Sequence, residues 1–122
     1  MDKIQFAVIE AKVCNAVLAY EENFAFRNAG RLDFGTCGSA IVLLGFGRKR
    51  KIKQEFLDAG FIKENNTWDS YGKKEYVFQL QQPTVGTQYI GFYEDRVRTA
   101  VNVLREELDG TGVDVNMHTW VD

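Results

Sequence analysis

Ser39-Ala40-Ile41-Val42-Leu43-Leu44, preceded by Gly38 and stopped by Gly45-Phe46-Gly47, is a short run rich in Ile, Val and Leu between glycines. Such a run reads as a strand covered on both faces. What lies on either side of it decides the fold. Upstream, from about Lys3 to Phe26, Ile4, Ala7, Val8, Ala11, Cys14, Val17 and Leu18 recur at steps of three and four. That repeat puts side chains on one face of a helix. The stripe is expected to be its core side, with Glu10, Lys12, Asn15, Glu21 and Glu22 solvated and Gly30 closing the element.

Downstream, Ile52, Phe56 and Leu57 mark a short second helix among charged residues, ended by Gly60, with Phe61 and Ile62 packing back as a helix-ending contact. Asn65, Asn66, Asp69, Ser70 and Gly72 are turn formers around Trp68 and Tyr71. They predict a hairpin whose second strand is Glu75 to Leu80, with Tyr76, Phe78 and Leu80 on its apolar face. Pro83 ends that strand. From Phe92 to Leu108, Val97, Ala100, Val101, Leu104 and Leu108 form an amphipathic stripe, with Glu94/Arg98 and Arg105/Asp109 as exterior pairs four apart. Val113, Val115 and Met117 then alternate with Asp114, Asn116 and His118, the pattern of a half-buried final strand.

Helices interleaved with strands give an α/β (α+β) chain, a two-layer sandwich in which one sheet of three to four strands carries about three helices. The 122 residues suit one domain, 1–122, with a single core. A hydrophobic share of 45% against 26% charged residues excludes the composition of a disordered chain. The net charge of −2 gives no long-range attraction to nucleic acid or anionic lipid, so such binding can only be local. The longest apolar run, Ala40 to Leu44, is far below the ~20 residues that cross a bilayer, and no signal-peptide pattern opens the sequence, which points to the cytoplasm. Cys14 and Cys37 form no C-x-x-C pair and stand outside ligand spacing of the single histidine, His118. Buried, reduced thiols are expected, with neither zinc nor cofactor.

The most unusual stretch packs five positive charges into the six positions Arg48-Lys49-Arg50-Lys51-Ile52-Lys53, directly after the apolar strand. A strand end leading through glycines into a helix is a place where α/β proteins bind anions. The P-loop and dinucleotide-fold spacings are absent, and a solvated charge run is the plainer reading of Arg48, Lys49, Arg50 and Lys51. The loop Gln82 to Gly91 could offer Thr84, Thr87, Gln88 and Tyr89 to a ligand, or use Thr87 or Gln88 merely to cap the third helix. Trp68 and Tyr71 at a hairpin tip, beside Lys73 and Lys74, suit a protein interface or base stacking equally. His118 has no nucleophile elbow near Ser39 or Ser70, and the carboxylates are scattered without the pairing that hydrolysis or metal binding requires. No catalytic residue is assigned.

Cys37-Gly38-Ser39-Ala40-Ile41-Val42, together with Arg48, Gln88 and the closing Thr119-Trp120-Val121-Asp122, resembles a group of small bacteriophage proteins of unassigned function. Those carry a Cys-Gly-x-Ala motif leading a strand, a glutamine before a later helix and a C-terminal aspartate. The resemblance implies a viral origin and supplies no catalytic residues. The expected function is a non-enzymatic binding protein that occupies a host or viral partner, as anti-defence factors do. The alternative is a small-ligand binder holding a nucleotide or similar anion between the basic turn 48–53 and the loop 84–89. A nuclease or other hydrolase ranks last. A homo-oligomer fits too, because the first helix can pack on its own sheet or on a symmetry mate.

Overall fold

The computed structural model describes residues 1–28, 36–65 and 75–121. Along these residues the elements are α1 (Lys3–Arg27), β1 (Gly38–Gly45), α2 (Arg50–Asp58), β2 (Lys63–Asn65), β3 (Glu75–Phe78), α3 (Ile90–Glu107) and β4 (Asp114–Val121). The four strands form one sheet in the order β2-β3-β1-β4, antiparallel at every junction. From β1 onward this is the β-α-β-β-α-β order of a split β-α-β unit. The two-layer α+β arrangement expected from the alternation of apolar periods is the one that forms.

β1 sits in the middle because it can pair on both sides. Its residues run beside β4 from Gly38 opposite Val121 to Gly45 opposite Asp114, and Val42, Leu43 and Leu44 face Phe78, Val77 and Tyr76 of β3. Side chains alternate along a strand, so Val42 and Leu44 point into the core with Phe78 and Val115. Ile41 and Leu43 face away and are only half-buried. The expected strand covered on both faces is thus a central strand with the helices on one side. Gly38 is required by a close approach: a Cβ there would lie 2.5 Å from the Trp120 carbonyl oxygen and 2.7 Å from the Ile90 side chain.

α1 begins at Asp2, whose carboxylate accepts the Gln5 amide at 2.8 Å while the Gln5 side chain accepts the Asp2 amide at 2.8 Å. This reciprocal box satisfies two of the amides that every helix start leaves free. α1 and α3 lie antiparallel, as Lys12 meets Glu107 at 2.7 Å and the Tyr20 hydroxyl donates to the Phe92 carbonyl at 3.0 Å. α3 buries Val97, Ala100, Val101 and Leu104, with Leu108 just beyond its end, as its stripe predicts, and Phe92 as well. The exterior pairs differ from expectation: Arg98 pairs with Asp95 at 2.5 Å, and Arg105 donates to the Val115 carbonyl at 2.9 Å, tying α3 to β4.

The core face of α1 is only in part the expected one: of the expected stripe Val17 is buried and Cys14 half-buried, but the rest faces outward. Phe6, Ile9, Val13, Val17 and Glu21 are buried, while Ile4, Ala7, Val8, Ala11 and Leu18 are exposed. Two apolar stripes share this helix, and the one bearing Phe6 wins because it meets a set of rings. Phe6 lies 4.9 Å from the Phe56 ring and 5.0 Å from that of Phe61. Burying each such ring contributes about 1.5–3 kcal/mol. α2 is short and supplies Phe56 alone to the fully buried interior. It ends as the sequence predicts: Gly60 takes φ +70, the Gly60 and Phe61 amides donate to the carbonyls of Leu57 and Phe56 at 3.0 Å each, and Phe61 packs back on Phe56 at 5.4 Å. That is the Schellman pattern. β2 and β3 pair from Lys63 opposite Val77 to Asn65 opposite Glu75, as the hairpin requires.

Candidate functional site

The basic turn occupies the carboxyl end of β1 and the start of α2. Arg48, Lys49, Arg50 and Lys51 are all exposed, and α2 begins at Lys49 with no side-chain cap. Cations at a helix start oppose its dipole. Two charges of the run are engaged elsewhere. Lys49 lies along Gly112, with its Nζ 3.5 Å from the Gly112 carbonyl. Gly112 has φ +78, and a Cβ there would stand 2.6 Å from the Lys49 Nζ. Lys53 places its Nζ 5.4 Å from the centre of the Tyr76 ring, a cation–π contact. Arg48, Arg50 and Lys51 take part in none of the ion pairs among the described residues.

The loop at Thr87 and Gln88 lies at the other end of the same strand. The Gly38 amide donates to the Gln88 carbonyl at 3.1 Å, the Ile90 amide donates to the Thr36 carbonyl at 2.7 Å, and Cys37 bridges to Tyr89. Across the eight residues of β1, at about 3.4 Å each, the loop and the basic turn stand roughly 24 Å apart. The structure therefore does not join them in one pocket. Thr87 is buried at 5%; its hydroxyl accepts the Tyr89 amide at 3.2 Å, and its carbonyl accepts the Tyr93 hydroxyl at 2.7 Å. α3 starts at Tyr89 without a side-chain cap, so Thr87 fixes the approach to the helix and does not cap it. Cys37 donates weakly to the Gln88 side chain at 3.8 Å and is exposed, while Cys14 is half-buried; both thiols are free. The expectation of two buried thiols is corrected accordingly. Trp68 and Tyr71 lie outside the described residues.

The loop before α3 is held from below by a charge the sequence hid. Glu21 is 0% and Arg96 5% exposed. Glu21 Oε1 accepts Arg96 Nε at 2.5 Å, and Oε2 accepts the Thr84 amide at 2.9 Å and its hydroxyl at 2.5 Å. Arg96 also donates to the Gln81 carbonyl. Burial pushes the Glu21 carboxyl up, but the Thr84 and Arg96 hydrogen bonds, with the Arg96 charge, outweigh it and hold the group below its usual range. Every partner belongs to the chain, so this network positions the loop and offers a ligand nothing.

Among the described residues no group of three or more His, Cys, Asp or Glu could hold a metal ion. A groove of about 390 Å³ runs between α1 and the end of β3, lined by Val13, Cys14, Phe61, Phe78 and Gln81 among others. The sheet face away from the helices carries Ile41, Leu43 and Val77 half-buried; on β4, Trp120 is 40% exposed, its ring 6.0 Å from that of His118.

Among the described residues, four of the seven exposed large apolar side chains lie on the outward stripe of α1. Ile4 is 75%, Val8 47%, Leu18 39% and Phe26 84% exposed, all on the side opposite Phe6, Ile9, Val13 and Val17. Sequence reading found most of this stripe and assigned it to the core. The sign that a second stripe competes is Phe6-x-x-Ile9-x-x-x-Val13-x-x-x-Val17, spaced as regularly and headed by an aromatic residue. No known family model, curated protein or solved structure matches the chain.

Proposed function

We propose that the protein is a non-enzymatic binding protein whose contact surface is the outward face of α1. One observation carries this reading: four large apolar side chains, two of them more than 70% exposed, line one side of a helix whose other side is fully packed. Water contact with apolar area costs about 25 cal/mol per Å², and contiguous apolar patches on soluble chains mark interaction sites. The stripe has Lys12 at its edge and Asn15 and Glu22 within it, a mixed polarity that favours a protein over an anionic lipid surface. The resemblance to small phage proteins supports a host or viral protein in the cytoplasm as the class of partner. No helix among the described residues is long and apolar enough to cross a membrane.

The test compares the tagged chain with an Ile4→Glu, Leu18→Glu variant in affinity capture from cells that naturally contain it. A partner retained by the first and lost by the second, with unchanged circular dichroism, supports the reading. Identical recovery by both, or no partner for either, refutes it.

A second reading rests on the exposed Arg48, Arg50 and Lys51, which are free to contact a phosphate group of a nucleotide or nucleic acid. It excludes Thr87 and Gln88, which stand at the far end of β1. Binding through three cations should weaken several-fold on raising salt from about 50 to 200 mM. Thermal-shift titration with nucleotides and a short single-stranded DNA at both salts checks it, and the absence of any shift at low salt excludes it.

A further inference from the structure

We infer that β4 pairs with β4 of a second copy of this chain, antiparallel about a twofold axis through Thr119. This edge of the sheet is separate from the α1 face, and the inference stands or falls independently of that reading. Hydrogen bonding along β1 fixes which way β4 points. The Gly38 amide donates to the Gln88 carbonyl, away from β4, so Gly38 and Val121 stand opposite each other without exchanging hydrogen bonds. Their pairing runs unbroken to Gly45 opposite Asp114, and bonded and non-bonded pairs alternate along such a ladder. Asn116, His118 and Trp120 therefore bond to β1, while Val115, Met117, Thr119 and Val121 turn their N–H and C=O groups to the open edge. Arg105 agrees with that direction, since it reaches the Val115 carbonyl at 2.9 Å.

Arg105 guards one end of this edge, and the rest is unguarded. β4 is the outermost strand, and among the described residues nothing hydrogen-bonds to the outward backbone groups of Met117, Thr119 or Val121. Sheets protect such rows with lysine, proline, bulges or brevity. The opposite edge, β2, is three residues long and carries Lys63 and Glu64. Met117-His118-Thr119-Trp120-Val121 contains no lysine, acid or proline and no bulge, and Trp120 and Val121 are 40% and 63% exposed. One unguarded edge per chain closes into a pair and does not propagate into a fibre.

The register follows from the free groups. An axis through Thr119 sets Met117 opposite Val121 and Thr119 opposite Thr119, so the three free residues satisfy one another and Val115 is left to Arg105. Moving the axis to His118 would set Val121 against Val115, whose carbonyl Arg105 holds. Moving it to Trp120 would slide Met117 past Val121, the last residue of β4. Side chains fit the same register. On the helix side Met117, half-buried against the core, covers Val121 of the second copy, and Thr119 on Thr119 is a favourable cross-strand pair. On the open face His118 of each copy lies opposite Trp120 of the other in a non-hydrogen-bonded pair, the closer kind. These two rings are already 6.0 Å apart within the chain, so pairing gathers four rings into one cluster.

Sedimentation velocity on the full chain tests the association, and cysteine crosslinking in a Cys14→Ser, Cys37→Ser background tests the register. Thr119→Pro removes an N–H that β1 does not use, a position where an edge strand tolerates proline. The expected result is a concentration-dependent dimer that Thr119→Pro weakens at least tenfold with unchanged circular dichroism. If that variant misfolds, Val121→Lys is read in its place with the same expectation. Under mild oxidation a mixture of His118→Cys and Trp120→Cys chains should form a disulfide dimer. Neither alone should, because like positions then lie roughly 8 Å apart, beyond disulfide reach. A monomer up to about 100 µM, a dimer indifferent to these edge substitutions, or His118→Cys crosslinking to itself as readily as in the mixture overturns the inference.

Discussion

Replacing Glu21 by Gln removes one charge from the interior while keeping the shape of the side chain. The carboxylate now accepts three hydrogen bonds, one from Arg96 and two from Thr84, and an amide has only one oxygen to offer. Its NH₂ must then face either the guanidinium or the two Thr84 donors, and Arg96, 5% exposed, is left as a buried cation without a counter-charge. Breaking a buried pair in this way costs about 3–5 kcal/mol. For a chain of 122 residues, with about 2.1 cal/mol/K of unfolding entropy per residue, each kcal/mol moves Tm by about 4 °C. Glu21→Gln should therefore melt roughly 12–20 °C lower. The double variant Glu21→Leu, Arg96→Leu should recover most of that loss, because desolvation of both charges disappears with them. Thermal and urea unfolding followed by circular dichroism measures both. The pH dependence runs in a stated direction. The folded carboxyl titrates below its usual 4.5, so its contribution is complete above that value and fades as pH falls through the lower, folded one. The acid limb of the stability profile should flatten in Glu21→Gln. A loss under about 1 kcal/mol at neutral pH, the level of an exposed pair, would refute the account of this network.

Two further outcomes are expected. Burial, with the Asp95 charge, pushes the Tyr20 hydroxyl from 10.0 to about 12; stability should be complete below pH 10 and fall between pH 10 and about 12, and Tyr20→Phe should reduce that alkaline loss in urea titrations. Gly38→Ala would thrust a methyl group to within 2.5 Å of the Trp120 carbonyl; forcing β1 and β4 apart should cost about 1–3 kcal/mol, read as a lower urea midpoint, and wild-type stability would show that the strands have room.

The parts of the fold legible in the sequence were those whose partners are near in the chain or whose period admits one solution. α3 has one apolar stripe, and it is buried as read. Gly60 and Phe61 announce the end of α2 locally, and β1 is short, apolar and bounded by glycine. α1 was ambiguous because both of its faces are apolar, and only the rings of Phe56 and Phe61 choose between them. Glu21 looked solvated because a carboxylate is buried only beside a partner, and Arg96 lies 75 positions away. The basic turn was found where it stands, but its separation from Thr87 and Gln88 depends on the direction and length of β1 within the sheet, which composition does not encode. The surface proposed here for contact with a partner is one whose residues Ile4, Val8 and Leu18 read in the sequence as interior.

The Glu21–Arg96 pair also sets an order of events during synthesis. α1 leaves the ribosome before α3, carrying an acid destined for the interior, while its counter-charge, Arg96, lies 75 positions further on. β1 likewise waits for β4 before one of its long edges is covered. Until α3 has emerged, Glu21 lacks its native counter-charge Arg96, so the native core cannot close from the N-terminus forward. Contacts this distant in sequence slow the search. The nascent chain is committed to an interval of open, apolar exposure in which holding factors would act on it.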